Sequence, residues 1–485
     1  MSSHHTDTLN WDTVFAIPIS KVNEAIVHQH TSPKSFNYIS KSNDKINGNF
    51  GDWQIVKGGD GSLIYFSIPV SNVVGESPLV GGFAWERFSL TVEVKLKFLE
   101  EQMGEDSKMH LKIRSQGSNN DPVASTKGIT IEKNTVTGEN IEPTGDCVDM
   151  LGTEGTESII SEFISYWLND NIIEFDHIFA TVNLNNYIDK DAEWAWCKPT
   201  DVDYAYVDRD TEESLLGILC MTGGRKVTES NLQQIDPYVI PEKSIAGFII
   251  AEKRILQDLV LPTLPMKWKK SSVEDYEIVN DADTDTGKYQ YVLQLKEGKN
   301  IELDPISHAG STYTPYMKKM KIALEEDQLI FESYTETNVG MGVTAWCRTT
   351  HWYTISLNTD KNGKQTLIYE KHKDPTVEHG TSTSSTTEVL EGLIILAGVI
   401  ATFILGLLTD GVAFVVGAII IGILTGVAAA SPKIIEIANS DISPDIDLMI
   451  TNATSPIQWN GSGVFNLNYA GLAGPLQLGG MPNFS

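Results

Sequence analysis

Cysteine is scarce in this chain, positive charge scarcer than negative, and the familiar motifs of catalysis are missing. Cys147, Cys197, Cys220 and Cys347 lie far apart and form no CxxC pair. A disulfide framework is therefore not indicated for a chain of 485 residues, and buried, reduced thiols are expected. Lys and Arg number 36 against 64 Asp and Glu, a formal charge of −28. Nucleic-acid binding needs phosphates neutralised by Lys and Arg, so this balance speaks against it. It also means that an acidic lipid could be met only through a local basic patch. The start, Met1–Asp7, has no basic stretch followed by an apolar run. No Sec signal is visible, and synthesis in a reducing cytoplasm is expected, with later release from the cell left open.

HExxH, GxSxG and GxxxxGK[ST] are all absent from the sequence. Gly58-Gly59 and Gly223-Gly224 read as turns rather than phosphate cradles. His4 and His5 read as a polar terminus. His177, His308 and His351 stand singly and are expected to be hydrogen-bonded structural histidines. Two segments approach a calcium loop. Asp281, Asp283 and Asp285 alternate correctly, but Gly287 comes one place late and Val292 stands where a bidentate Glu belongs. Asn358, Asp360, Asn362 and Gly363 fit better, yet Tyr369 occupies the closing position and Glu370 falls one residue too far. That segment reads as a hairpin. No catalytic residue, metal ligand or cofactor is assigned, and the chain is read as non-enzymatic.

What is present is mostly strand. Phe88, Leu90, Val92, Val94, Leu96 and Phe98 alternate with Ser89, Thr91, Glu93, Lys95 and Lys97. At about 3.3 Å per residue such a strand runs for roughly 40 Å, long enough for a large antiparallel sheet with one wet face. Similar alternation marks Leu63–Val70 and Tyr289–Leu295. Trp352–Leu357 and Gln365–Tyr369 are joined through Asn362-Gly363, a hairpin signal. Helical spacing is rarer. Pro18 suits a first helical position ahead of Ile19, Val22 and Ile26. Ile159, Ile160, Phe163, Ile164, Trp167 and Leu168 share a second helical face. Ile245, Phe248, Ile249, Ile255, Leu256 and Leu259 predict a third helix ending before Pro262. Ala195-Trp196-Cys197-Lys198 recurs as Ala345-Trp346-Cys347-Arg348, a thin hint of two similar sub-structures.

One segment departs from the rest. Between Glu391 and Lys433 the only charge is Asp410. Gly392–Leu408 and Val412–Ala430 each approach the ~17–25 residues of a membrane span, so a hairpin turning at Thr409-Asp410-Gly411, inserting into a membrane or forming a pore, is one reading. The flanks lack a Lys/Arg cluster and an aromatic belt, and seven glycines lower the hydrophobicity. The preferred reading is a long helical element, 389–431, buried in a β-rich body. Ala418, Gly422, Gly426 and Ala430 form a small-residue stripe suited to close packing. Two basic clusters, Met266–Lys270 and Met317–Lys321, set Lys beside Trp or Met, which reads first as an ordinary solvated strand end and second as a pairing suited to a headgroup boundary.

The opening Asn10-Trp-Asp-Thr-Val-Phe-Ala-Ile17 resembles that of the OrfX family of clostridial neurotoxin gene clusters, related to the forty-seven-kilodalton cluster protein. The similarity continues through Gly51–Gly59, Ser244–Phe248, the Gly392–Ala430 block and Pro456-Ile-Gln-Trp459. It spans nearly the whole chain, and length and layout match the third, mid-sized type of that family. The resemblance implies an α+β, β-rich TULIP-like fold, with a long helix packed in a highly curved antiparallel sheet. It implies one elongated body over 8–478, with two sub-structures as a further option, and flexible termini at 1–7 and 479–485. It also implies a non-toxic accessory protein that binds lipid, phosphoinositide included, or assembles with the small OrfX protein or another cluster product to support toxin action or delivery. Within that frame Ile394, Leu396, Phe403 and Phe414 are candidates for an apolar lining. Lys267, Lys269, Lys270, Lys318, Lys319 and Lys321 are candidates for acidic headgroups.

Overall fold

The computed structural model describes residues 5–103, 106–118, 120–184, 194–210, 212–280, 290–360, 363–383, 391–426 and 446–484. The long alternating segment forms the strand Gly81–Met103, paired antiparallel with Leu63–Ser77. Phe88, Leu90, Val92 and Val94 are buried on one side. Each such side chain removed from water contributes about 1.5–3 kcal/mol, which fixes the register, because a one-residue slip would turn the whole row outward. This hairpin centres a nine-stranded sheet ordered Ser35–Ile39, Lys45–Phe50, Leu63–Ser77, Gly81–Met103, Asp106–Ile113, Ala180–Leu184, Ile457–Trp459, with Gln54–Asp60 and Ala124–Ile131 as side branches. The helix Asp146–Asn171 covers it with Ile160, Ile164, Trp167 and Leu168. The Trp167 ring lies 5.3 Å from Phe50.

A thirteen-stranded antiparallel sheet forms the other half, and one continuous apolar core joins the two. Its central strands are Thr13–Pro18, Ala246–Ile250, Leu476–Phe484 and Ser462–Leu472. It continues through Val343–Thr359, Gln328–Gly340 and Pro315–Glu325. The hairpin expected after Leu357 is present, with Thr359 opposite Gln365. Asp360 accepts the Gly363 amide at 3.0 Å on its carbonyl and the Lys364 amide at 2.8 Å on its carboxylate. Asn362, and the Asp281–Gly287 stretch, lie outside the described residues.

Five expectations change. Ala246–Ile250 is a strand, buried on both faces between Thr13–Pro18 and Leu476–Phe484. An apolar run buried on both sides carries no two-residue period, so it imitates a helix. Helix begins only at Glu252, and it continues past Pro262 to Lys267 through a π-turn at Ile255–Val260. Residues 479–484, expected to be a flexible terminus, pair in the sheet centre, Gly479 with Gly247 and Gly480 with Ala246. At the other end Thr6 is buried and donates its amide to the Ala473 carbonyl at 2.8 Å. The repeated tetrapeptide marks no repeat of structure. Ala195–Cys197 is a 3₁₀ turn, whereas Ala345–Arg348 lies within a strand.

The apolar segment is one helix, Glu391–Thr425, unbroken at Thr409-Asp410-Gly411. No hairpin turn forms there. The helix runs antiparallel along the strand Gln365–Thr383: a Cβ at Gly398 would lie 3.7 Å from His379, and one at Gly417 3.7 Å from Tyr369. It ends at Gly426, whose φ of +65° and proximity to the Trp194 ring (2.1 Å from an added Cβ) both require glycine. Ala418 and Gly422 of the small-residue stripe are buried; Ala430 lies outside the described residues.

Candidate functional site

The apolar helix and the first basic cluster meet. Trp268 is buried and stacks on Phe331, centroids 5.8 Å apart. Its anchoring leaves Lys269 and Lys270 exposed on the following turn, with Lys267 half-buried before it. Gly411 of the long helix permits the close crossing: an added Cβ would sit 3.3 Å from Trp268 and 3.4 Å from Lys267 Cε. The result is a cleft of about 520 Å³ between Met266–Lys270, Glu302–Pro305 and the helix residues Leu407, Leu408 and Phe414. Its base is aliphatic and aromatic, and its rim carries ammonium groups. One of these, Lys270, is ion-paired with Glu302.

The helix is sheltered unevenly. Val412, Val415, Val416, Ile419, Ile423 and Leu424 are all at most 1% exposed. In the first half Ile394 is 54%, Ile395 65% and Phe403 47% exposed. Burial of the whole segment therefore holds for the second half only. Gly392–Thr425 is long and apolar enough to cross a membrane by length and composition, with a mean hydropathy of 2.5 over its most apolar stretch. Among the expected lining residues, Phe414 borders the cleft and Leu396 packs on the core, while Ile394 and Phe403 face outward. The second basic cluster is separate. Met317 and Met320 point into the core, whereas Lys319 and Lys321 lie in register with Tyr334 and Glu332 of the next strand. Lys318 Nζ lies 5.5 Å from the Tyr316 ring.

Sequence reasoning missed a buried charge cluster, because its members are distant in the chain. Asp12 Oδ2 accepts the Thr222 amide at 2.8 Å and Arg225 Nε at 2.6 Å, and Arg254 Nε lies 3.2 Å from Oδ1. Arg254 also pairs with Asp258 at 3.3 Å. Asp12 thus ties the first strand to the loop after Leu215–Thr222 and to the helix entering the cleft. The histidines are less bonded than expected. His177 meets Thr31 Oγ1 at 3.0 Å through Nδ1, but its Nε2 has no partner among the described residues. Both ring nitrogens of buried His351 are likewise without partners among the described residues. Burial pushes each imidazole down to about 4. Burial likewise raises the Glu252 carboxyl to about 8. Among the described residues no group of His, Cys, Asp and Glu is arranged to hold a metal.

Residues 8–480 match the OrfX-like family described as Protein OrfX2/OrfX3/P47. The chain is 42% identical to Protein OrfX3 of Paraclostridium bifermentans over 99% of both proteins. It is 40% identical to Protein OrfX3 of Clostridium botulinum (strain Kyoto / Type A2) over 98% of both. Among solved structures, P47 from Clostridium botulinum A2 is similar with a TM-score of 0.59 at 14% identity, covering 98% of each chain. P47 of Clostridium botulinum E1 is similar with a TM-score of 0.58 at 16% identity, covering 98% of this chain and 99% of that one. These two show the shared fold, an α+β arrangement of a long helix on a curled antiparallel sheet. With the family match and the relatives both running essentially end to end, the chain belongs to the OrfX family.

Proposed function

We propose that this protein is a non-enzymatic accessory protein of a toxin gene cluster that docks on lipid surfaces carrying acidic headgroups, phosphoinositides among them. The observation that carries the reading is the meeting of Lys267, Lys269 and Lys270 with Leu407, Leu408 and Phe414 of the long helix, whose first half also exposes Ile394, Ile395 and Phe403. A protein of charge −28 is repelled on average by an anionic membrane, so any approach depends on local cations. Each Lys near such a surface contributes about 1 kcal/mol. Ile394, Ile395 and Phe403 would add apolar burial at about 25 cal/mol per Å². Lys and Trp side chains suit this boundary, with stems in the apolar layer and heads in water.

Liposome flotation with phosphoinositide-containing vesicles tests the reading. Changing Lys267, Lys269 and Lys270 together to Glu is expected to lower vesicle binding at least tenfold, and binding of the native protein is expected to weaken with salt. Undiminished flotation of the triple variant would remove the cleft from the account.

A further inference from the structure

We propose that the outer face of the sheet around Trp346 is a binding platform for uncharged saccharide chains, separate from the lipid-facing cleft. The register of three neighbouring strands places side chains there in rows. One row is Glu336, Trp346, Gly380; the next is Tyr334, Arg348, Glu378; the row on the other side is Asn338, Thr344, Ser382. Gly380 leaves room for the indole to lie flat across its strand: a Cβ there would meet Trp346 Cζ2 at 2.7 Å, Cε2 at 2.9 Å and Nε1 at 3.1 Å. One face of Trp346 is thus spent on the backbone, and the residue stays partly exposed on the outer side of the sheet. Tyr334 extends the shelf, with ring centroids 6.4 Å apart and planes inclined by 32°.

The polar groups around this shelf are placed to bond hydroxyls. Arg348 is exposed, and its guanidinium lies 5.5 Å from the Tyr334 ring and 5.8 Å from the Trp346 ring. The guanidinium makes no hydrogen bond or ion pair among the described residues. Stacking holds the group in place while its N–H donors stay available. Glu336 receives the Tyr334 hydroxyl at 2.9 Å and keeps further acceptor capacity. Asn338, Thr344 and Ser382, in the row beyond, add short amide and hydroxyl groups. An aromatic plane ringed by amides, hydroxyls, a guanidinium and carboxylates matches a pyranose, whose C–H faces are apolar and whose rim is hydroxylated. Charge decides the class of sugar. Carboxylates flank Arg348 on two sides, Glu378 in its own row and Glu336 in the next. A sialylated or sulfated sugar reaching for Arg348 would meet both. Covering Gly380 explains why Trp346 lies flat, but not why the Arg348 guanidinium forms no ion pair with either carboxylate among the described residues.

Isothermal titration of the full-length protein tests this, using neutral oligosaccharides (maltohexaose, cellohexaose, chitohexaose and a galactose-terminated tetrasaccharide) beside sialylated and heparin-derived ones. Saturable binding of at least one neutral oligosaccharide is expected. Trp346→Ala should weaken it at least tenfold. Because that change also uncovers Gly380, Arg348→Met serves as the second variant: it keeps a stacked side chain, removes the donors, and should lose several-fold without a change in unfolding midpoint. Vesicle flotation of both variants should match the native protein, which separates this platform from the lipid reading. The proposal is overturned if no neutral oligosaccharide binds, if only acidic sugars bind, or if binding survives both substitutions.

Discussion

Asp12 carries two guanidinium groups at the junction of strand, loop and helix, and it shows what a single residue contributes here. Removing one member of a buried, hydrogen-bonded charge cluster strands its partners and typically costs 3–5 kcal/mol. Asp12→Ala is therefore expected to lower the urea midpoint strongly, since Arg254 is only 4% exposed at its side chain and would keep Asp258 as its acid partner and Gln257 as a neutral acceptor. Titration acts at the same scale. His177 and His351 have folded pKa values near 4 against an ordinary 6.5. The folded state binds their protons less readily than the unfolded chain. Their neutral forms thus support the fold above pH 6.5, and that support is lost as pH falls from there toward 4. His351→Leu should lose less stability than the native protein between pH 7 and 4.5, read by thermal unfolding at each pH. Glu252 has the opposite sign. Its raised pKa near 8 gives stability that is full below its ordinary 4.5 and lost as pH rises through 8. Glu252→Gln should accordingly gain on the native protein at pH 8.5 far more than at pH 5. Of these residues the sequence shows only their presence, and Asp12, Arg225 and Arg254 acquire a joint role because the sheet brings remote loops together.

The long helix Glu391–Thr425 divides into halves that its composition does not distinguish. Both are apolar, yet the second fills the core and the first shows Ile394, Ile395 and Phe403 to solvent. Leu424→Ala should cost about 2–5 kcal/mol, as for a fully buried leucine, whereas Ile395→Ala should shift stability by less than about 0.5 kcal/mol. Equal effects from the two, in matched urea titrations, would deny the asymmetry. Elements with one wet face were legible in the sequence. Phe88–Phe98 alternates, and Ile19, Val22 and Ile26 repeat at helical spacing, because solvent on the far side demands polar residues there. Ala246–Ile250 was not legible, since both of its faces are buried. The long helix itself was legible as one apolar block, but the part played by Gly411 was hidden. This glycine serves a close crossing with Trp268 rather than a turn, and that partner lies 143 positions earlier by residue number (411 − 268).

At the scale of the molecule, two antiparallel sheets share one apolar core, and a chain of net charge −28 carries a small cleft lined by Lys267, Lys269 and Lys270 beside Glu302 and Asp304. The β-rich body and its long helix could be anticipated from alternation, from the single apolar block and from the family resemblance. The cleft could be anticipated only as separate parts. Lys267, Lys269 and Lys270 come together with Phe414, while Lys318, Lys319 and Lys321 remain on a neighbouring strand, a distinction set by sheet order and invisible in spacing. The most direct test of the lipid reading is site-specific fluorescence with a polarity-sensitive label at Ile395→Cys, compared with one at Thr350→Cys on the outer sheet face, during titration with phosphoinositide-containing vesicles. The account predicts a blue shift at 395 and none at 350. A protein that binds the vesicles while the label at 395 stays in water would contradict it.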